Sequence, residues 1–195
     1  MKPDRLDRLD ALRSGDGRPL PDRLKADIRR ELARIDVVAS QLATVERARD
    51  ALVRTQTTEP TNPSALLIKL KGVGIEFASL VWLEGLFRSF TNRRQVAAYA
   101  GLAPSPWQSG GTDRDQGISK AGNHRLRRVM IELAWFWLRH QPDSALSRWF
   151  HNRVGTARGR VRRIAIVALA RKLLVALWRY VTQGIVPEGA TLKAA

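Results

Sequence analysis

Apolar residues recur at helical spacing along nearly the whole of this 195-residue chain, and one stretch breaks the pattern. That stretch is GLAPSPWQSGGTDRDQGISKAGN, residues 101–123, rich in Gly, Pro and Ser. Helical periodicity on both sides of a single irregular loop predicts a mainly α fold in which the loop is the exception. Loops of this length inside a compact domain are usually functional, and this one has room for a small hairpin.

Upstream, Leu24, Ile28, Ile35, Val38, Leu42, Val45 and Leu52 follow one another at spacings near three and four. They predict a long amphipathic helix over residues 21–57, of coiled-coil character, with Pro21 suited to its first turn and Glu31 and Arg49 breaking the seam. It can pair between chains or pack on its own domain. Residues 1–20, charged and ending in Pro-Leu-Pro, read as a flexible lead-in, and Thr57 to Pro63 as a boundary. A helical domain is expected over 62–187, with a tail at 188–195. Within it the pattern predicts helices from Ser64 to about Leu70, from Gly74 to about Phe87, from a Thr91 cap to near Gly101, from Asn123 to His140 and from Val161 to Val181. Trp135 and Trp137 are expected to pack, while Trp107 in the loop is open to either packing or stacking on a base.

The charge is uneven. Residues 1–60 hold 13 Lys/Arg and 11 Asp/Glu, whereas residues 61–195 hold 21 and 7, so nearly all of the net +16 lies in the second part. Such an excess favours a polyanionic partner through counterion release. There are no cysteines, hence no disulfide framework and no thiolate metal site. No signal peptide is visible after Met1, and the most apolar helical stretch is interrupted by Arg171, Lys172 and Arg179, so a membrane span is not expected.

Three elements can carry function. Gly72 and Gly74, flanked by Lys69 and Lys71, form a tight turn between two predicted helices, which suits either a helix-hairpin-helix clamp on a DNA backbone or an ordinary helix connection. In the loop, Ser109 precedes two glycines, and Arg114, Lys120, Arg125, Arg127 and Arg128 follow. Cations around a serine orient a phosphodiester and favour the alkoxide, but a polar turn in which Ser109 caps a backbone group satisfies the same residues, and chemistry alone favours the turn. Arg158, Arg160, Arg162 and Arg163 lead into the last helix as a phosphate-contacting edge or a solvated helix start. His124, His140 and His151 show no metal-ligand spacing.

Taken together, the glycine hairpin, Tyr99-Ala-Gly-Leu102, Gln108-Ser-Gly-Gly111 and Gly117-Ile-Ser-Lys-Ala-Gly-Asn123 resemble the transposases of insertion-sequence family 110, particularly subgroup 1111, and the related Piv/MooV DNA invertases. The likeness runs through Leu70 to Asn123 and Arg162 to Val181. It implies a C-terminal serine domain with Ser109 as the nucleophile that forms a transient serine–DNA link, and Ser119 as the runner-up. It also implies an N-terminal RuvC-like domain with four acidic residues binding magnesium, which this sequence lacks; Asp4, Asp7, Asp10 and Asp16 are not that tetrad. No cofactor is therefore expected in this chain itself, and no cleavage by it alone. The partners implied are DNA, a guide RNA and either a second copy or a full-length transposase paired through the long helix, in a bacterial cytoplasm at the nucleoid. The alternative is a non-catalytic helical protein that binds nucleic acid.

Overall fold

The computed structural model describes residues 5–56, 62–109 and 112–193, with side chains described outside Asp7, 53–56, 105–109 and 112–116. Two compact units divide near Ala51.

The first unit holds α1 (Arg5–Ala11) and most of α2 (Asp22–Gln56). Residues 5–19, expected as a lead-in, carry structure of their own. Leu9 is buried, the Asp10 carboxylate accepts from Arg29 at 2.7 Å, and Arg13 and Pro19 form an antiparallel bridge. The buried leucine and the pairing of Asp10 with Arg29 and Lys25 help to hold a seven-residue helix that propensity alone would not. With 35 residues, α2 is about 50 Å long. Along it Ile35, Val38, Leu42, Val45 and Leu52 all remain exposed.

The second unit is built around two helices, α6 (His124–His140) and α8 (Arg160–Gln183), packed on each other. α6 buries Leu126, Met130, Leu133 and Trp137 on one stripe, as its spacing predicts, while α8 buries Ile166, Leu169, Leu173, Leu174 and Leu177. α3 (Pro63–Lys69), α5 (Arg93–Tyr99) and α7 (Ala145–Val154) pack on α8, and α4 (Ile75–Val81) packs on α6. The fold is mainly α, as the periodicity requires. α7 escapes the sequence reading because its start is an isolated signal: Ser144 caps it by accepting from Ser147 N–H while its own hydroxyl takes the Trp137 indole N–H at 2.9 Å. α4 is shorter than expected. At Trp82–Leu86 the chain widens into a π-helical turn, with Phe87 N–H donating to Trp82 O. α5 is capped by Asn92, not by Thr91: its side chain accepts from Arg94 and Gln95 N–H.

The glycine turn is sewn into the domain. Gly72 has φ +85°, and a Cβ there would sit 2.6 Å from the Cβ of His140. The neighbouring chain is fixed by the fully buried Gln141, whose amide nitrogen donates to Lys71 O and Thr191 O at 2.8 Å each and whose oxygen accepts from Thr191 N–H. The tail closes over the same turn, since Leu70 bridges Leu192 and Lys193 Nζ donates to Val73 O at 2.8 Å.

The interrupting loop is a two-stranded antiparallel hairpin, β1 (Pro104–Ser109) and β2 (Thr112–Ile118), with an irregularity in register between Pro104 and Pro106. Among the described residues no helix is long and apolar enough to cross a membrane.

Candidate nucleic-acid interface

The segment after the hairpin is held against the end of α5 by backbone bonds. Ser119 N–H donates to Ala103 O at 2.8 Å, Lys120 N–H to Gly101 O at 3.2 Å and Asn123 N–H to Tyr99 O at 2.7 Å. Gly122 sits at φ +124° with the Tyr99 carbonyl 2.5 Å from where a Cβ would lie, so no other residue fits. Asn123 then caps α6, accepting from Arg125 and Leu126 N–H, while its amide donates to both the carbonyl and the carboxylate of Glu84 in the π-helical turn. The Gly-Ile-Ser-Lys-Ala-Gly-Asn motif thus fixes where the hairpin leaves the domain.

One residue in this turn is strained. Lys120 is at φ +56°, unique among the described residues that are not glycine. The Arg127 guanidinium stabilises the conformation by donating to Lys120 O at 3.0 Å.

Lys120 lies on the wall of an open groove of about 870 Å³. Its opposite wall is one face of α8, where Arg160, Arg163, Ile164, Val167, Ala168 and Arg171 recur at spacings of three and four. Pro104 and Ile118, the first and last residues of the hairpin, complete it with Leu102 and Gly117. Four cations and no carboxylate stand among its described lining residues, and none of the four makes an ion pair with another described residue.

The remaining predicted residues separate. Arg127 Nη1 donates to the Lys120 carbonyl at 3.0 Å and lies 3.5 Å from that of Ala100. Arg128 pairs with Glu132 at 3.0 Å and Arg125 lies 3.6 Å from Glu84, both exposed. Arg162 is turned off the groove face and sits over Trp135, 5.1 Å from its ring centre, so Trp135 is half-exposed rather than core. Arg158 is exposed ahead of α8. At the glycine turn Lys69 and Lys71 are exposed, but Lys71 N–H donates to Thr191 O and Val73 N–H to Leu70 O, so two of the turn's amides are used inside the fold. Gly74 is extended and opens the next helix, with empty space where a Cβ would be. Ser109 closes β1, its backbone paired with Thr112, and Arg114 pairs with Trp107. The side chains of Ser109, Arg114 and Trp107, and all of Gly110 and Gly111, lie outside the described residues. The runner-up, Ser119, is partly buried, its hydroxyl 3.4 Å from Ala121 O.

Two residues of this surface were not legible beforehand. Arg171 looked like an interruption of an apolar helix, although its spacing of eight and eleven from Arg163 and Arg160 marks the same face. Glu84 stands 39 positions from Asn123, and nothing local announces their contact.

Residues 64–148 match the model of a family described as Transposase IS116/IS110/IS902, a span that takes in the glycine turn, the hairpin and α6 and stops before α8. The y4rJ protein of Sinorhizobium fredii (strain NBRC 101917 / NGR234), whose name assigns it as a transposase, is 54% identical over 201 residues, 99% of this chain and 51% of its own. An uncharacterised 43.6 kDa protein of insertion element IS110 from Streptomyces coelicolor is 30% identical over 165 residues, 80% of this chain and 40% of its own. The transposase of insertion sequence element IS1111A from Coxiella burnetii is 35% identical over 117 residues, covering 58% and 31% respectively. The chain spans about half the length, or less, of these curated relatives.

Proposed function

The chain belongs to the IS116/IS110/IS902 transposase family, and from that premise we propose that it forms the DNA-binding, serine-bearing part of a transposition site. The observation that carries the reading is the origin of the hairpin: its first and last residues, Pro104 and Ile118, line the same groove as Lys120, Arg160, Arg163 and Arg171. A serine five residues along β1 is carried on a hairpin that starts at cations pairing with no described residue, and such cations suit a phosphodiester.

In this reading Ser109 Oγ attacks a DNA phosphorus. An Oγ–P bond forms, the bond from phosphorus to one sugar oxygen breaks, and the departing alcohol takes up a proton as the serine loses one. Reversal with a different hydroxyl joins strands. Among the described residues no three His, Cys, Asp or Glu side chains are placed to hold a metal. The magnesium-binding acidic domain that the family resemblance implies belongs to the proposal as a partner, as does a guide RNA. The exposed stripe of α2 is the proposed pairing surface, with a second copy or with a full-length transposase. The glycine turn adds a backbone contact through Gly72, Gly74, Lys69 and Lys71, in a complex working at the nucleoid.

The test is duplex DNA binding as a function of salt. The affinity should fall steeply, each phosphate contact adding about 0.9 to the slope of the log–log plot. Binding indifferent to salt, or no binding of any DNA form at low salt, contradicts the proposal. A non-catalytic DNA-binding protein is the second reading, and adduct formation at Ser109 separates the two.

A further inference from the structure

The basic groove has a floor that duplex DNA does not call for. Ile118, Ile164, Val167, Ala168 and Pro104 line it together with its cations, Leu102 being buried, and Ile164 is 58% exposed on the α8 face. Isolated exposed apolar residues are ordinary, but these are contiguous and ringed by Lys120, Arg160, Arg163 and Arg171. A duplex presents phosphates outward and keeps its bases stacked inside, so it would satisfy the rim and leave the floor in water. An unpaired strand has both chemistries, a charged backbone and exposed base faces, and matches both parts of the groove.

We propose that this groove holds a short unpaired DNA segment, its phosphates on Lys120, Arg160, Arg163 and Arg171 and its bases laid on the floor around Ile164. The proposal rests on the reading that the chain handles DNA and adds which form of DNA the groove takes. From Arg160 to Arg171 the α8 face runs about 16 Å, room for a few nucleotides. Lys120 lines the groove from a backbone held left-handed at φ +56°. The charged side chains on the described lining are all donors, which suit phosphate oxygens. The hairpin that carries Ser109 starts and ends at the same groove, with Ser109 about 17 Å along β1 from Pro104.

The experiment uses the whole chain and measures fluorescence anisotropy of an oligothymidylate of about 12 nucleotides and of a duplex of equal length. Three forms are compared: unchanged, Ile164→Ser, and Arg163→Ala with Arg171→Ala. Ile164→Ser alters no charge and lies on an exposed position, so folding should survive, and circular dichroism checks it. The expected result is a five- to tenfold loss of oligothymidylate affinity, roughly what the lost apolar contact supplies, with duplex affinity unchanged. The arginine pair should lower the single-strand salt slope by about 1.4. Equal losses for both DNA forms in Ile164→Ser, or no loss in either, would overturn the proposal. So would oligouridylate binding more than about tenfold tighter than oligothymidylate, or displacement of the strand by polyglutamate at equal charge. Absence of binding to either DNA form would instead defeat the DNA-handling reading beneath it, and the two failures are distinct.

Discussion

The amide of Asn123 donates to the Glu84 carboxylate at 2.9 Å while its oxygen caps the first turn of α6. One side chain therefore joins the π-helical turn, the end of the hairpin segment and the central helix. Asn123→Ala should cost about 1–2 kcal/mol, removing the cap and leaving Glu84 without that partner. Asn123→Ser keeps a capping oxygen but cannot reach Glu84, and should recover about half of the loss. Urea denaturation of the variants reads both values: equal destabilisation by Ala and Ser would show that the cap contributes nothing, and full recovery by Ser that the Glu84 contact contributes nothing.

The two glycines of the turn, alike in sequence, should part company on substitution. Gly72→Ala meets the Cβ of His140 and a left-handed backbone, and a stability loss of about 2 kcal/mol or more is expected. Gly74→Ala enters open space with an extended backbone, and its stability should change by less than about 1 kcal/mol. Thermal unfolding checks the contrast. Gly74→Ala that folds normally yet binds duplex DNA more weakly would support the backbone clamp. Lys193 belongs to the same turn: burial lowers the pKa of its ammonium, and it donates to Val73 O.

Lys120→Gly separates stability from binding. Glycine accepts φ +56° freely, so the variant should be as stable as the parent or up to about 1 kcal/mol more stable. Removing the cation should nonetheless weaken DNA binding and reduce the duplex salt slope by about 0.9. A variant that is both less stable and unaltered in binding would show that Lys120 serves only the turn.

Much of the fold could be read from spacing because α6 buries a regular stripe, and Leu126, Met130, Leu133 and Trp137 fall where periodicity puts them. What escaped depends on contacts between distant residues. Leu9 anchors a helix in a segment that reads as loose charge, and the π-helical turn answers to Glu84 meeting Asn123. Candidate site residues divided the same way. Arg160 and Arg163 share a helical face that sequence alone defines, whereas Arg127 is withdrawn to backbone carbonyls and Arg162 to the Trp135 ring by packing that no local pattern signals.

The exposed stripe of α2 makes a prediction about association. If Ile35 and Leu42 pair between copies, the chain should sediment as a dimer at high concentration, and Ile35→Glu with Leu42→Glu should return it to monomer without loss of helix. Analytical ultracentrifugation decides this. A monomer at all concentrations, unchanged by the substitutions, removes the pairing surface from the account.

The assignment of Ser109 is tested most directly by complementation. This chain is mixed with a full-length family member whose own serine is changed to alanine, and strand exchange and protein–DNA adducts are measured together. The account predicts exchange with an adduct on Ser109, lost in Ser109→Ala and retained in Ser119→Ala. An adduct that maps to Ser119, or one that persists in Ser109→Ala, would contradict it.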